Sequence, residues 1–165
     1  MSVKTAAWTI EVKLKADLAD AEGQSALSLL QGLGVLTTRA CRATRLYELR
    51  CGLNAAQLQQ VARELLCDPI TQDFRVVPGG ARPPVLNGMT HWRVEVWPKG
   101  SVADPAGETV RSAIAEMGLP QPERVRVGTA YLISGRCGRG QLEKAVVRGL
   151  ANPVVHDAAV TESHP

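Results

Sequence analysis

The sequence predicts an α+β protein of two tandem ferredoxin-like subdomains, each of βαββαβ type, packed against each other as a pseudo-dimer. Three observations lead there. Sliding the 165-residue chain by 84 positions aligns 8–76 with 92–160 without a gap, giving 17 identities in 69 positions. Each copy runs through apolar stretches of period two and period 3.6 in the same order. Between the copies, "PGGARPPVLNGMT" (78–90) holds three prolines and three glycines, the composition of a linker. The chain therefore divides into a first repeat at 1–77, the linker at 78–90, a second repeat at 91–160 and a tail, "TESHP", at 161–165 that is expected to fray.

The elements follow in order. In "WTIEVKL", Trp8, Ile10, Val12 and Leu14 alternate with Thr9, Glu11 and Lys13, the pattern of a half-buried strand; Trp92, Val94 and Val96 repeat it. A helix then starts at "ADPAGETV", with Asp104 as N-cap and Pro105 at the first helical position, where its missing N–H costs nothing. The first copy keeps Asp20 but has Ala21 in place of the proline. Gly34 and Gly118 end these helices as left-handed caps. Next, "ACRATRLYELRC" and "VRVGTAYLISG" each read as two short strands around a tight turn, placed at Gly128 in the second copy. Asn54 with Gln57 opens the second helix as a capping box, and Leu58, Val61, Ala62, Leu65 and Leu66 form its apolar stripe. Pro69 and Pro153 end it, and "ITQDFRV" and "VVHDAAV" supply the last strands. A unit of about 70 residues buries only about 60% of its unfolded surface, so pairing is the natural remedy for its marginal core. Whether the copies exchange segments is open at this stage.

Composition excludes several function classes. Nineteen basic and sixteen acidic residues are interspersed without a block of like charge, which gives no nucleic-acid surface. No apolar run approaches the roughly 20 residues of a membrane span, and the N-terminus alternates rather than forming a signal core, so the expected location is cytoplasmic, with no membrane partner. Cys41, Cys51, Cys67 and Cys137 lack metal or disulfide spacing and read as reduced, mostly buried thiols.

No catalytic, cofactor-binding or metal-binding constellation emerges. The chain has no G-x-G-x-x-G, Walker, G-x-S-x-G or His-Glu-x-x-His motif. "GRCGRG" (135–140) invites a phosphate-cradle reading, but a plain strand-to-helix connection explains it and the first copy has "CGLNAA" there. Cys137 between two arginines invites a reactive-thiol reading on the same loop. Arg42 and Arg126 occupy equivalent places and are candidates for contact with an anion or partner, against a solvated strand-edge charge. Asp20 and Asp104 read as caps rather than catalytic acids.

The order "VEVWPKGSVADPAGETVRSAIAEMG", "VRVG", a tyrosine strand, a leucine helix and "LANPVVHDAAV" resembles the PurS family, the small subunit of phosphoribosylformylglycinamidine synthase in purine biosynthesis. The resemblance rests on Val96, Lys99, Asp104, Pro105, Gly107, Gly118, Val125 to Gly128, Leu150, Asn152, Pro153 and Val154. The second copy covers nearly the whole family length, and the first is degraded. A lysine that commonly follows the motif glycine in the family is Thr129 here and Arg45 in the first copy. The resemblance implies a non-catalytic scaffold that helps hold a synthetase and a glutaminase subunit together while ammonia passes between them. ATP, Mg and glutamine would be used by that complex, with no cofactor in this chain. Lys99, Asp104, Pro105, Gly107, Arg126, Gly128, Asn152, Pro153 and Arg42 are the family-motif and candidate interface residues. Further self-association is left open. Two other classes compete: a small-molecule sensor of paired ferredoxin-like subdomains, and an enzyme using the 135–140 loop.

Overall fold

Tight turns and caps, spaced alike in the two repeats, set the element boundaries of the computed structural model, which describes residues 4–79 and 91–163. The first repeat gives strand β1 (Ala6–Leu14), helix α1 (Ala21–Gly32), strand β2 (Thr38–Cys51), helix α2 (Ala55–Val61) and strand β3 (Gln72–Pro78). The second gives β4 (His91–Pro98), α3 (Pro105–Glu116), β5 (Arg124–Gly135), α4 (Arg139–Ala145) and β6 (His156–Ser163). Helices α2 and α4 each continue as a π-helical turn, Ala62–Leu66 and Val146–Leu150. The closing bonds, Cys67 N–H to Ala62 O and Ala151 N–H to Val146 O, are both 2.9 Å long and lie at equivalent positions.

The register repeats with the sequence. Strand β1 pairs antiparallel with β3 from Trp8↔Pro78 to Leu14↔Gln72, and β4 pairs with β6 through Trp92↔Glu162, which is the same register shifted by one repeat. Strand β6 runs to Ser163, so Thr161, Glu162 and Ser163 are paired with β4 rather than frayed. Most of the 78–90 linker lies outside the described residues; Pro78 ends β3, and the Gly79 N–H donates to Ala7 O at 2.8 Å.

One expectation is corrected. Each of the two predicted hairpins is a single long strand, 14 residues in β2 and 12 in β5. Gly128 is not at a turn: the positive-φ glycines among the described residues are Gly34, Gly118 and Gly135. The two stretches read as separate strands belong to one six-stranded sheet but fall in different compact units, because each long strand leaves one unit and enters the other. Unit one comprises the described residues of 1–18, 45–81 and 103–128; unit two comprises those of 19–44, 82–102 and 129–165.

Within unit one the strand order is β3-β1-β2-β5, and within unit two β2-β5-β4-β6. Each unit therefore has four strand segments and two helices, the complement of a ferredoxin-like sandwich, but with helices exchanged between repeats. The core of unit one joins Ile10, Val12, Leu49, Leu58 and Val61 of the first repeat to Ile114 and Val125 of the second. The core of unit two joins Trp92, Val94, Ile133, Leu142 and Val146 to Ala26, Leu27 and Leu30 of the first repeat's α1. At about 25 cal/mol per Å² of apolar surface removed from water, such burial commits α1 and α3 to the other repeat's strands, while α2 and α4 stay with their own.

Candidate interaction surface

Two kinds of repeated structure account for six of the nine predicted site residues. The first is a clamp at the helix starts. Asp104 caps α3 by accepting the Gly107 N–H on Oδ1 at 2.9 Å, while Oδ2 accepts the Val127 N–H of β5 at 3.0 Å. Asp20 does the same for α1 and β2, from Gly23 at 2.9 Å and Ala43 at 2.7 Å. One carboxylate thus ties a helix N-terminus to a strand backbone, which also suits the helix dipole. Glycine is needed beside it: a Cβ on Gly107 would lie 2.2 Å from Val125 O, and one on Gly23 2.4 Å from Cys41 O. Pro105 supplies the first residue of α3, as the sequence requires. Asp104, Pro105 and Gly107 are therefore brought together as a structural device.

Arg126 and Arg42, equivalent in sequence, have different neighbours. Arg126 places Nη1 3.3 Å from Glu48 Oε1 in unit one, and Arg42 places Nε 3.9 Å from Asp20 Oδ2 in unit two. Arg42 also rims an open depression of about 460 Å³ shared with Asp20, Gln24, Leu27, Arg39 and Cys41. Chemistry there is disfavoured, since the Asp20 carboxylate already holds two backbone N–H groups. Burial, with help from the Asp20 and Glu22 charges, pushes the Cys41 thiol up to about 12.

The second repeated structure is the turn before the last strand of each copy. Asn152 accepts the Val154 N–H on Oδ1 at 3.0 Å, and its own N–H donates to His156 Nδ1 at 3.0 Å. In the first copy Asp68 accepts the Ile70 N–H at 2.9 Å, and its N–H donates to Gln72 Oε1 at 2.9 Å. The Ile70 and Thr71 hydrogen bonds hold the Asp68 carboxyl below its ordinary value of 3.8. Lysines close both turns: the Lys99 N–H donates to Val155 O at 2.9 Å and the Lys15 N–H to Thr71 O at 3.0 Å. Lys99, Asn152 and Pro153 thus gather in unit two. Gly128 lies within β5 and joins neither group.

At the tips of these turns stand Ile70 and Val154, 79% and 76% exposed. Sequence reasoning placed them at the start of the last strands; the strands begin two residues later. The signal that could have found them is the Asx turn that Asp68-Pro69 and Asn152-Pro153 encode, which turns the following side chain outward. An apolar side chain thus stands exposed on a hydrogen-bonded polar turn once in each repeat.

The 135–140 loop is engaged structurally. Gly135, at φ 144, packs against the Thr37 carbonyl. The Arg139 guanidinium lies 5.7 Å from the Trp92 ring centre, and its Nη1 donates to Val160 O at 2.8 Å. Burial raises the Cys137 thiol above its ordinary value, opposite to what a reactive thiolate needs. Among the described residues no three His, Cys, Asp or Glu side chains gather as a metal site, and no helix is long and apolar enough to cross a membrane.

Together these features define a duplicated α+β unit whose two copies share helices and present matching turns. The chain belongs to the PurS family: the family model described as "Phosphoribosylformylglycinamidine (FGAM) synthase" matches it twice, over 7–78 and 91–163, as a tandem duplication. A crystal structure described as "Structure of B. Subtilis PurS C2 Crystal Form" is similar at 25% identity, covering 46% of this chain and 100% of that one, with a TM-score of 0.43. No curated protein matches.

Proposed function

We propose that the chain is a non-catalytic scaffold of FGAM synthase, a single-polypeptide pair of PurS units that holds a synthetase and a glutaminase subunit together for ammonia transfer. The observation that carries this reading is the double family match, one full unit in each repeat. The engaged carboxylates, the raised thiols and the two exposed apolar tips support it. Asp20 and Asp104 fasten helices, Cys41 and Cys137 are kept protonated, and Ile70 and Val154 are free to enter a partner's apolar pocket. ATP, Mg and glutamine act on the partner subunits in this scheme.

The test is co-purification of the tagged chain with synthetase and glutaminase subunits in the presence of glutamine and Mg-ADP. Retention of both subunits is expected, with several-fold weaker retention for the Ile70→Ser, Val154→Ser double variant. Failure to retain either subunit would sink the proposal; retention unchanged in the double variant would move the contact away from these tips.

A further inference from the structure

We propose that the helix faces of the two repeats are shaped for each other, so that each half recognises the other half in preference to a second copy of itself. In unit two, α1 lies against the π turn that follows α4. A Cβ added to Gly149 would fall 2.7 Å from Leu29 Cδ2 and 2.9 Å from Leu33 Cδ1. Two leucines from the first repeat therefore occupy the space that a glycine in the second leaves open.

Shifted by one repeat, the three positions become Ala113 and Met117 on α3 and Leu65 on the first π turn, all half-buried in unit one. Leu65 packs on that unit's core. Large meets small in unit two, and by the symmetry of the repeat Ala113 is the small counterpart facing Leu65 in unit one, with Met117 keeping the bulk of Leu33. A helix α1 folded back on its own repeat would set Leu29 against Leu65, and a self-contained second repeat would set Ala113 against Gly149. The first arrangement overpacks and the second leaves a gap, and both are unfavourable. The same two faults would arise in a complex of two first repeats or two second repeats. The exchanged arrangement avoids both, so the size pattern selects the through-going β2 and β5 over the hairpins that their sequences also permit. Leu29 is 39% exposed, so the contact sits at the rim of the core and its side chain has some room to yield.

Two measurements on the full chain test this. In the first, a protease site is placed between residues 80 and 90, and the purified protein is cut, unfolded in urea, refolded and examined by native mass spectrometry. The expected product is a one-to-one complex of the two fragments; a statistical mixture of like and unlike pairs overturns the proposal. In the second, melting temperatures are compared for Leu29→Ala/Ala113→Leu, which mismatches both contacts, and for the same pair combined with Leu65→Gly/Gly149→Leu, which restores the match with its sense reversed. The helix-only pair is expected to melt roughly 3–10 °C lower and the fourfold variant to recover most of that loss, since the cost of a glycine at 65 is offset by its removal at 149. Equal melting of the helix-only pair and the parent, or a fourfold variant as damaged as the pair, overturns the proposal even where the cut protein fails to refold.

Discussion

Replacing Gly107 by alanine isolates the clamp, because two physical effects on the same substitution have opposite signs. Helix propensity alone favours alanine by up to about 1 kcal/mol. Contact opposes it: the new Cβ would lie 2.2 Å from Val125 O and 2.9 Å from Asp104 Oδ2, so α3 must lift from β5. Lifting strains the two hydrogen bonds that the Asp104 carboxylate accepts, 2.9 Å from Gly107 and 3.0 Å from Val127. Overpacking costs about 1–3 kcal/mol, and each hydrogen bond to a charged group contributes about 1.5–3 kcal/mol. Partial loss of both, less the propensity gain, leaves a net destabilisation of about 3 kcal/mol. For a chain of this size that lowers Tm by roughly 6–12 °C. Gly32 is the control, because a Cβ there meets nothing within 4 Å. Gly32→Ala is expected to stabilise by about 0.4–1 kcal/mol. Thermal melts followed by circular dichroism, with urea titrations alongside, measure both. Should Gly107→Ala melt at or above the parent temperature, as Gly32→Ala is expected to do, the close-approach account of the Asp-x-x-Gly repeat is wrong.

Two further predictions concern titration. Asp68 has its folded pKa depressed from 3.8 by the Ile70 and Thr71 hydrogen bonds, so its contribution is present above that value and lost as pH falls through the folded pKa. The corresponding turn is built on Asn152, which does not titrate, and the protection factor of the Ile70 amide, taken against intrinsic exchange, is expected to fall below about pH 4 in the parent and to hold in Asp68→Asn; a protection factor with the same acid dependence in both proteins refutes the assignment. Cys137, raised by burial, is expected to react with iodoacetamide more slowly than glutathione at pH 8, its rate still rising with pH beyond the ordinary thiol value of 9.0, where an unperturbed thiol levels off; labelling faster than glutathione would revive a reactive thiol.

Local chemistry was legible in the sequence and partner choice was not. Asp20, Asp104, the Asn54–Gln57 capping box and the Gly34 and Gly118 caps all act within a few residues of themselves, and each stands where the pattern put it. The second oxygen of each aspartate bonds a residue 23 positions away, which no local pattern encodes. Gly23 and Gly107 were visible as repeated identities, but the carbonyls that require them, on Cys41 and Val125, belong to tertiary packing. The hairpin expectation failed for a related reason. Alternation shows that the two parts of β2 and of β5 are each half-buried, and it is silent on which core buries them. Ile70 and Val154 misled in another way: the sequence pattern places them in the last strands, whereas each stands two residues before its strand, on an Asx turn exposed to solvent.

Exchange of helices gives duplication a particular value. Two identical units that trade helices form a symmetric pair, and any change on one face is copied to the other. Joined in one chain, they reach effective concentrations in the millimolar range for short flexible tethers, and the faces are released from that constraint. The turns show the consequence: Ile70 stands beside the Asp68 carboxylate, held ionised, while Val154 stands beside the neutral Asn152 amide. In the proposed scaffold, two tips of like shape and unlike charge would discriminate between pockets to which a symmetric pair would present equally. The proposed bridge between two different subunits would need such a difference, because identical tips leave each partner competing for both positions. The size differences between Leu29 and Ala113, and between Leu65 and Gly149, are a second divergence of this kind, at the positions where each repeat's helix meets the other's π turn.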